Sequence, residues 1–243
     1  LADELVNKGR QADLTVANNV LAHVPDINDF VSGFTKILKK DGVATFENPH
    51  LLTLVAQKQF DTVYHEHYSY LSVSSVMEIF KTTALTLFDV KELSVHGGSL
   101  RYFAQRSDTG TRPISANVRK MQEKEDIAGM RKIDFYKGFQ TKAELIKAKF
   151  LLFLLDQKLK GKTVFAYGAA AKGNTMLNFG GVRSDLLAYI VDNNPSKQGM
   201  FTPGSRITDV KEQLLEVKKP DFIVILPWNM KEAIKEQLSY VTG

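Results

Sequence analysis

Ile27, Phe30, Val31, Phe34, Ile37 and Leu38 follow the i, i+3, i+4, i+7 spacing of a helix with one buried face. The spacing predicts a helix over residues 27–39, ended by Asp41-Gly42. Short apolar runs on either side, residues 12–17 and 43–47, read as strands, and Asn48-Pro49-His50 marks the end of the second. Residues 51–70 are polar and aromatic without a period, whereas residues 72–82 predict a helix capped by Ser72 or Ser74. Residues 85–93 and 99–105 are strand-like, and the short stretch Ser94-Val95-His96-Gly97-Gly98 between them points to a hairpin at a sheet edge. Residues 107–113 are the best linker, and residues 114–159 are mostly helical, charged on one face and apolar on the other.

A second α/β pattern starts at Gly161. Strands at 163–167, 187–191 and 222–226 alternate with helices at 175–179, 210–217 and 231–238, and residues 168–174 form a Gly- and Ala-rich loop after the first strand. Three strands separated by helices predict a small Rossmann-like parallel sheet that binds its ligand at the strands' carboxyl ends. The fold class expected is α/β.

Composition narrows the function. A chain of 243 residues with 44% hydrophobic content is large enough for two modest domains. With no cysteine, disulfides, thiolate zinc sites and cysteine nucleophiles are excluded within this stretch. The longest apolar run, residues 150–155, is far below the roughly 20 residues that span a bilayer, and no basic-then-apolar leader opens the chain; a cytoplasmic protein without a membrane partner is expected. The net charge of +5 comes from Lys and Arg that alternate with Glu and Asp, which describes solvated helix faces rather than a nucleic-acid groove.

The densest chemistry lies in Tyr64-His65-Glu66-His67-Tyr68-Ser69-Tyr70, with two imidazoles, a carboxylate and three phenols in seven positions. A histidine that titrates near neutrality, oriented by a carboxylate and flanked by a phenol, suits proton abstraction. The residues alone equally describe a polar aromatic surface loop. A metal site is a third reading, disfavoured because the His-Glu-x-x-His spacing of helical zinc sites is absent. His96-Gly97-Gly98-Ser99-Leu100-Arg101 is either a glycine turn or a close approach to an anion with Arg101 as its partner. The loop over residues 168–174 is neither a phosphate-binding Walker loop nor a full dinucleotide fingerprint. Its amides at a helix start, together with Lys172 and Asn174, suit a diphosphate. Asp192 and Trp228 each end a strand of that sheet and are candidates to flank a ribose or base.

The ordered set of Asn19, Leu21 and His23, then Glu47-Asn48-Pro49, Tyr64-His65-Glu66-His67-Tyr68-Ser69, His96-Gly97-Gly98-Ser99-Leu100-Arg101, residues 168–174 and Asp192-Asn193-Asn194-Pro195 resembles the sugar C-methyltransferase family, from about Asp13 to Asn229. Those S-adenosylmethionine-dependent enzymes methylate carbon 3 of nucleotide-linked 4-keto-deoxyhexoses. The resemblance implies that residues 1–110 are the C-terminal part of a class I methyltransferase domain, 111–160 a helical connector and 161–243 the Rossmann-like C-terminal domain. It implies His67 as the base that removes the proton beside the ketone, assisted by Glu66 and Tyr64. Asn18, Asn19 and His23 would lie beside the cofactor. Glu47, Asn48, His65, His96, Ser99, Arg101, Lys172, Asn174, Asp192 and Trp228 would face the nucleotide-diphosphate sugar, and the transfer needs no metal.

Family members also resemble a three-part layout with a Cys-rich zinc-binding region first. That region, the Gly-rich first loop and the acidic residue after the second strand are not in this sequence. The expectation is an N-terminally incomplete chain, with zinc only in the missing region and weak or no binding of S-adenosylmethionine. A non-catalytic nucleotide-sugar-binding remnant is the competing reading. A nucleotide-dependent oxidoreductase is disfavoured by the imperfect glycine fingerprint and the lack of a Tyr-x-x-x-Lys pair. The oligomeric state is left open.

Overall fold

The computed structural model describes residues 1–241. The chain divides into two compact units, Leu1–Lys58 with His65–Lys137, and Gln59–Tyr64 with Gly138–Gly243. Both are α/β, as the alternation of strand and helix patterns predicts.

The first unit contains α1 (Ala2–Asn7), β1 (Ala12–Asn18), α2 (Ile27–Ile37), β2 (Leu38–Pro49), α3 (Leu51–Ala56), α4 (Val73–Thr82), β3 (Leu85–Leu93), β4 (Ser99–Arg106) and α5 (Ala116–Ile127). Its sheet has the order β1-β2-β4-β3, with β1 and β2 parallel and β4 antiparallel to both of its neighbours. Asn18 pairs with Glu47 and Pro49 with Ser99. One end of the sheet therefore collects the carboxyl ends of β1 and β2 and the turn from β3 to β4. The core packs Phe34 of α2 and Phe80 of α4 against Phe46 of β2, with ring centroids 4.8 and 5.2 Å apart. Each such aromatic pair adds about 1 kcal/mol beyond burial of its area.

Helix α2 starts where Asp26 accepts a hydrogen bond from the Asp29 amide at 2.9 Å. It stops at Ile37, short of the expected residue 39, because Leu38 already turns extended and pairs with Ala12. The ladder then slips, from Ala12 opposite Leu38 to Leu14 opposite Val43, so Lys39-Lys40-Asp41-Gly42 bulges out of register. Helix α4 begins with the expected Ser72, which exchanges side-chain and backbone hydrogen bonds with Ser75 in a capping box.

Glu125 on α5 reaches the same helix start. Its buried carboxylate accepts from the Val73 and Ser74 amides at 2.6 and 3.0 Å, from Ser74 Oγ at 2.8 Å and from His50 Nε2 at 2.9 Å. Burial works to raise its pKa, but the hydrogen bonds from His50, Ser74 and Val73 outweigh burial and hold the carboxyl below its ordinary value.

The second unit contains a 3-10 turn at Phe60–Thr62, then α6 (Phe139–Leu159), β5 (Val164–Tyr167), α7 (Ala171–Gly180), β6 (Ile190–Val191), β7 (Asp209–Val210), α8 (Gln213–Lys218), β8 (Phe222–Ile225) and α9 (Lys231–Gln237). The helical stretch expected over 114–159 is two helices, interrupted by left-handed Gly129 and Gly138 and a 3-10 turn at Ile133–Phe135. The sheet is parallel throughout, in the order β7-β6-β5-β8. It has one strand more than expected: β7 is only two residues long, and the helix predicted from 210 starts at Gln213. The strand predicted over 187–191 pairs only at Ile190–Val191. Side chains of β5 alternate between two cores, Val164 and Ala166 against Leu154, Leu177 and Leu187, and Phe165 and Tyr167 against Leu215, Ile234 and Leu238. Burial on both faces explains its unbroken apolar run.

Because Glu125 is held below its unfolded value, its contribution to stability is complete above about pH 4.5 and is lost as pH falls through the folded value. Glu125→Gln should lower first-unit stability at pH 7 by about 3 kcal/mol and flatten the acid-induced loss. Hydrogen exchange of the Val73 and Ser74 amides across pH checks this, and unchanged protection in the variant refutes it.

Candidate active site

At the carboxyl end of β1 and in the β3-to-β4 turn, two non-glycine residues adopt left-handed backbone, Asn19 (φ 54°) and His96 (φ 55°). They meet: Asn19 Nδ2 lies 3.3 Å from His96 Nε2, and the Asn19 amide donates to the Glu47 carbonyl at 2.7 Å. Strain of this kind, costing of order 1 kcal/mol or more per residue, persists only where the surroundings over-determine it. Asn18, just before, is exposed.

The chain then makes a 3-10 turn at Leu21–His23, anchored by buried Leu21 and Ala22. The Ala22 carbonyl accepts from the Tyr68 and Ser69 amides at 2.8 and 3.2 Å, which ties this turn to the end of the Tyr-His-Glu-His motif. In consequence His23 meets His67 edge to face with ring centroids 4.7 Å apart, and Tyr70 also meets His67 edge to face, at 6.0 Å. His65 and Glu66 sit exposed in the turn before it. The division between the two units falls inside the motif, with Tyr64 in the second unit and His65 onward in the first.

Below the strand ends the polar groups are largely consumed internally. Glu47, 4% exposed, takes Arg101 Nε and Nη2 at 3.1 and 2.5 Å, a cross-strand pair that occupies the guanidinium expected to meet an anion. Ser99 and Asn48 are buried, Ser99 Oγ donating to the Val95 carbonyl at 3.2 Å and Asn48 Nδ2 to the Pro49 carbonyl at 3.0 Å. Asn48 Oδ1 and the Tyr102 hydroxyl are buried without a well-formed hydrogen bond, and burial, opposed in part by the Asn48 side chain, pushes the Tyr102 phenol well up.

In the second unit, Asp192 follows β6 and its Oδ2 accepts from the Ala169 amide at 2.8 Å and from Lys197 Nζ at 3.1 Å. Burial acts to raise the Asp192 pKa, yet these bonds and that of the Asn194 amide hold it down. An internal carboxylate therefore already occupies an amide of the loop over residues 168–174. Gly168 in that loop (φ +91°) is required by packing, since a Cβ there would come within 2.5 Å of Pro227 Cδ. Helix α7 starts at Ala171, earlier than the expected 175, which puts Lys172 and Asn174 in its first turn. Lys172 Nζ lies 4.8 Å from the Trp228 ring centroid, and Trp228 Nε1 donates to buried Asp61 at 2.6 Å. Burial lowers the Lys172 pKa and raises that of Asp61. Asp61 and Lys197 carry no pattern that marks them in the sequence; an acid between Phe60 and Tyr64 was the one available signal for the former.

A family profile described as "C-methyltransferase C-terminal domain" matches residues 94–243. The chain belongs to this C-methyltransferase family. The curated "C-methyltransferase NovU" of Streptomyces niveus is 32% identical over 231 residues, covering 94% of this chain and 54% of that protein. The chain thus spans about half the length of the curated C-methyltransferase it matches. Solved structures with partial likeness include magnesium protoporphyrin IX methyltransferase from Synechocystis PCC 6803 with bound SAH (17% identity, TM-score 0.33, 41% of this chain and 47% of that one). An O-methyltransferase family protein from Burkholderia thailandensis is similar over 44% of this chain and 33% of its own (17% identity, TM-score 0.33). Among the described residues of this chain no helix is long and apolar enough to cross a membrane, and no three His, Asp or Glu side chains gather as metal ligands.

Asp209 on β7 is 2% exposed, and the backbone amides of Asp192 and Val210 near its carboxylate are too poorly placed to offset burial. Burial, reinforced by Asp192, raises its pKa to about 6. The fold favours the protonated form, so stability should rise as pH falls from above 6 towards 4, by about 2–3 kcal/mol. Fluorescence of Trp228, the single tryptophan and a second-unit residue, reports that transition. Asp209→Asn should abolish the rise; a midpoint independent of pH in the parent chain refutes it.

Proposed function

We infer that the protein to which this chain belongs is an S-adenosylmethionine-dependent methyltransferase that methylates carbon beside the ketone of a nucleotide-linked keto-deoxysugar. The observation that carries this reading is His67, held edge to face by His23 and flanked by Tyr70 at the end of a sheet where two strands finish. The methyltransferase family supplies the reaction type.

The donor set at the end of β1 suits the amino-acid part of S-adenosylmethionine. The side-chain amides of Asn18 and Asn19 can accept from its ammonium and donate to its carboxylate, and the left-handed Asn19 turns its backbone back towards β2. When bound, that cofactor supplies an electrophilic methyl group. The protein's own part is acid–base work. A proton α to a carbonyl is acidic enough for an imidazole to remove, and His67 takes it on a ring nitrogen. His23 restricts rotation of that ring, so its lone pair is aimed before substrate arrives. Glu66 assists, its carboxylate favouring the protonated imidazole.

Lys172 and the first-turn amides of α7 are the groups we assign to an anionic nucleotide diphosphate, with Trp228 as an aromatic face beside them. Asp192 repels a phosphate from the loop itself, which favours a ribose or a cation-bridged contact there and leaves the anion to Lys172. His65, His96 and the edge formed by Glu47, Asn48, Ser99 and Arg101 complete the sugar side, the last four by shaping it from below.

His67→Gln in the full-length protein should lower turnover by about 10²–10⁴-fold while cofactor affinity stays within about threefold. Incubation of a nucleoside diphosphate 4-keto-6-deoxyhexose in D₂O gives an independent measure: deuterium enters the carbon next to the ketone with the parent enzyme and not with the variant. Equal incorporation by both rules His67 out as the base.

A further inference from the structure

Glu125 lies on α5, outside every motif that points to the chemistry, and its carboxylate bonds to His50 and to the start of α4, which adjoin the segments that carry the candidate histidines. His50, at the end of β2, is 1% exposed and places Nε2 against Glu125 Oε1 at 2.9 Å. A carboxylate only accepts, so the ring carries its hydrogen on Nε2. His50 Nδ1 has no hydrogen-bond partner among the described residues, which leaves Glu125 to orient the ring.

The backbone at His50 holds the two segments. Its amide donates to the Gly98 carbonyl at 3.1 Å, at the end of the turn that contains His96. The next amide, Leu51, donates to the Leu71 carbonyl at 3.0 Å, and residues 50 and 71 form a parallel bridge. Leu71 ends the stretch that starts at His65, and Val73 and Ser74, which follow it, bond to Glu125 directly. The stretch with His67 is thereby fixed twice, and the turn with His96 once, to one buried pair.

The Ser72–Ser75 capping box leaves the Val73 and Ser74 amides to Glu125, so capping of α4 explains three of its four bonds but not the one from His50. All four groups that meet Glu125 are donors, so glutamine would turn an NH₂ towards an N–H or an O–H.

We propose that Glu125 is a positioning residue for the proton transfer, acting through His50 to hold the turn of His96 and the segment of His67 in register. The proposal rests on the reading of His67 as base. The test uses full-length protein, deuterium incorporation into a nucleoside diphosphate 4-keto-6-deoxyhexose, and NMR of the His67 and His96 ring protons. His50→Gln keeps the three bonds from Glu125 to α4 and so separates orientation from capping.

Glu125→Gln and His50→Gln should each lower kcat for incorporation about tenfold or more with KM within about threefold, and both should move the two ring signals. The double variant should be no worse than the more severe single one, as expected of one coupled pair. Ser74→Ala removes a bond to the same carboxylate without touching His50, and should keep kcat within about twofold. Folded His50→Gln with parental kcat and unmoved ring signals overturns the proposal, as does a Ser74→Ala loss equal to that of Glu125→Gln. If Glu125→Gln does not fold, His50→Gln decides alone. Absence of incorporation by the parent enzyme would fault the base assignment instead, and the ring signals of His50→Gln would then decide the positioning claim.

Discussion

A carboxylate buried at the junction of α4, α5 and the end of β2 is the constraint on which the packing of the first unit's sheet end depends. Leaving water costs an ion several kcal/mol, and Glu125 remains charged only because four donors converge on it. The geometry that satisfies those donors admits little slippage: α5 cannot slide without breaking the start of α4, and His50 cannot turn without leaving the carboxylate short of a donor. The aromatic core of Phe34, Phe46 and Phe80 supplies much of the packing, whereas the Glu125 network specifies the arrangement.

Above that network the chain accepts local strain. Asn19 and His96 are both left-handed and side by side, and each belongs to a turn whose ends are pinned by sheet hydrogen bonds. Such backbone is tolerated because the sheet register over-determines it, and it lifts two polar side chains out of the strand ends. The pairing of His23 with His67 has the same origin. Ala22, buried beneath, accepts two amides from the end of the motif and so brings together rings 44 positions apart in sequence.

The second unit shows the opposite economy, with charges paired internally at the strand ends. Asp192 is committed to Ala169 and Lys197, and Glu212 accepts from Tyr167, Gln237 and Tyr240 at 3.1, 2.9 and 2.8 Å. Lys172 remains beside Trp228, in the first turn of α7, where an incoming anion would also meet helix amides. Burial that weakens its hold on a proton also makes its charge, when present, act through less water.

Local pattern was sufficient for the α/β class, for the hairpin of β3 and β4, for a serine cap at Ser72 or Ser74 before α4 and for the apolar run of β5, because each follows from residues within a few positions of one another. The ordered polar motifs made the C-methyltransferase relationship legible as well. What local pattern could not carry was pairing across distance. The early end of α2 depends on Leu38 meeting Ala12, and β7 exists only because Asp209 and Val210 find Ile190 and Val191. Arg101, a candidate anion partner by its motif, is set opposite Glu47 by strand register, and no local pattern distinguishes Glu125 from the other charges of α5. The sequence determined which chemical groups are available and which elements carry them. Tertiary structure decided which of those groups neutralise one another and which stay poised at the sheet edge, since hydrogen bonds and burial depend on neighbours that only folding brings within 3 Å or so.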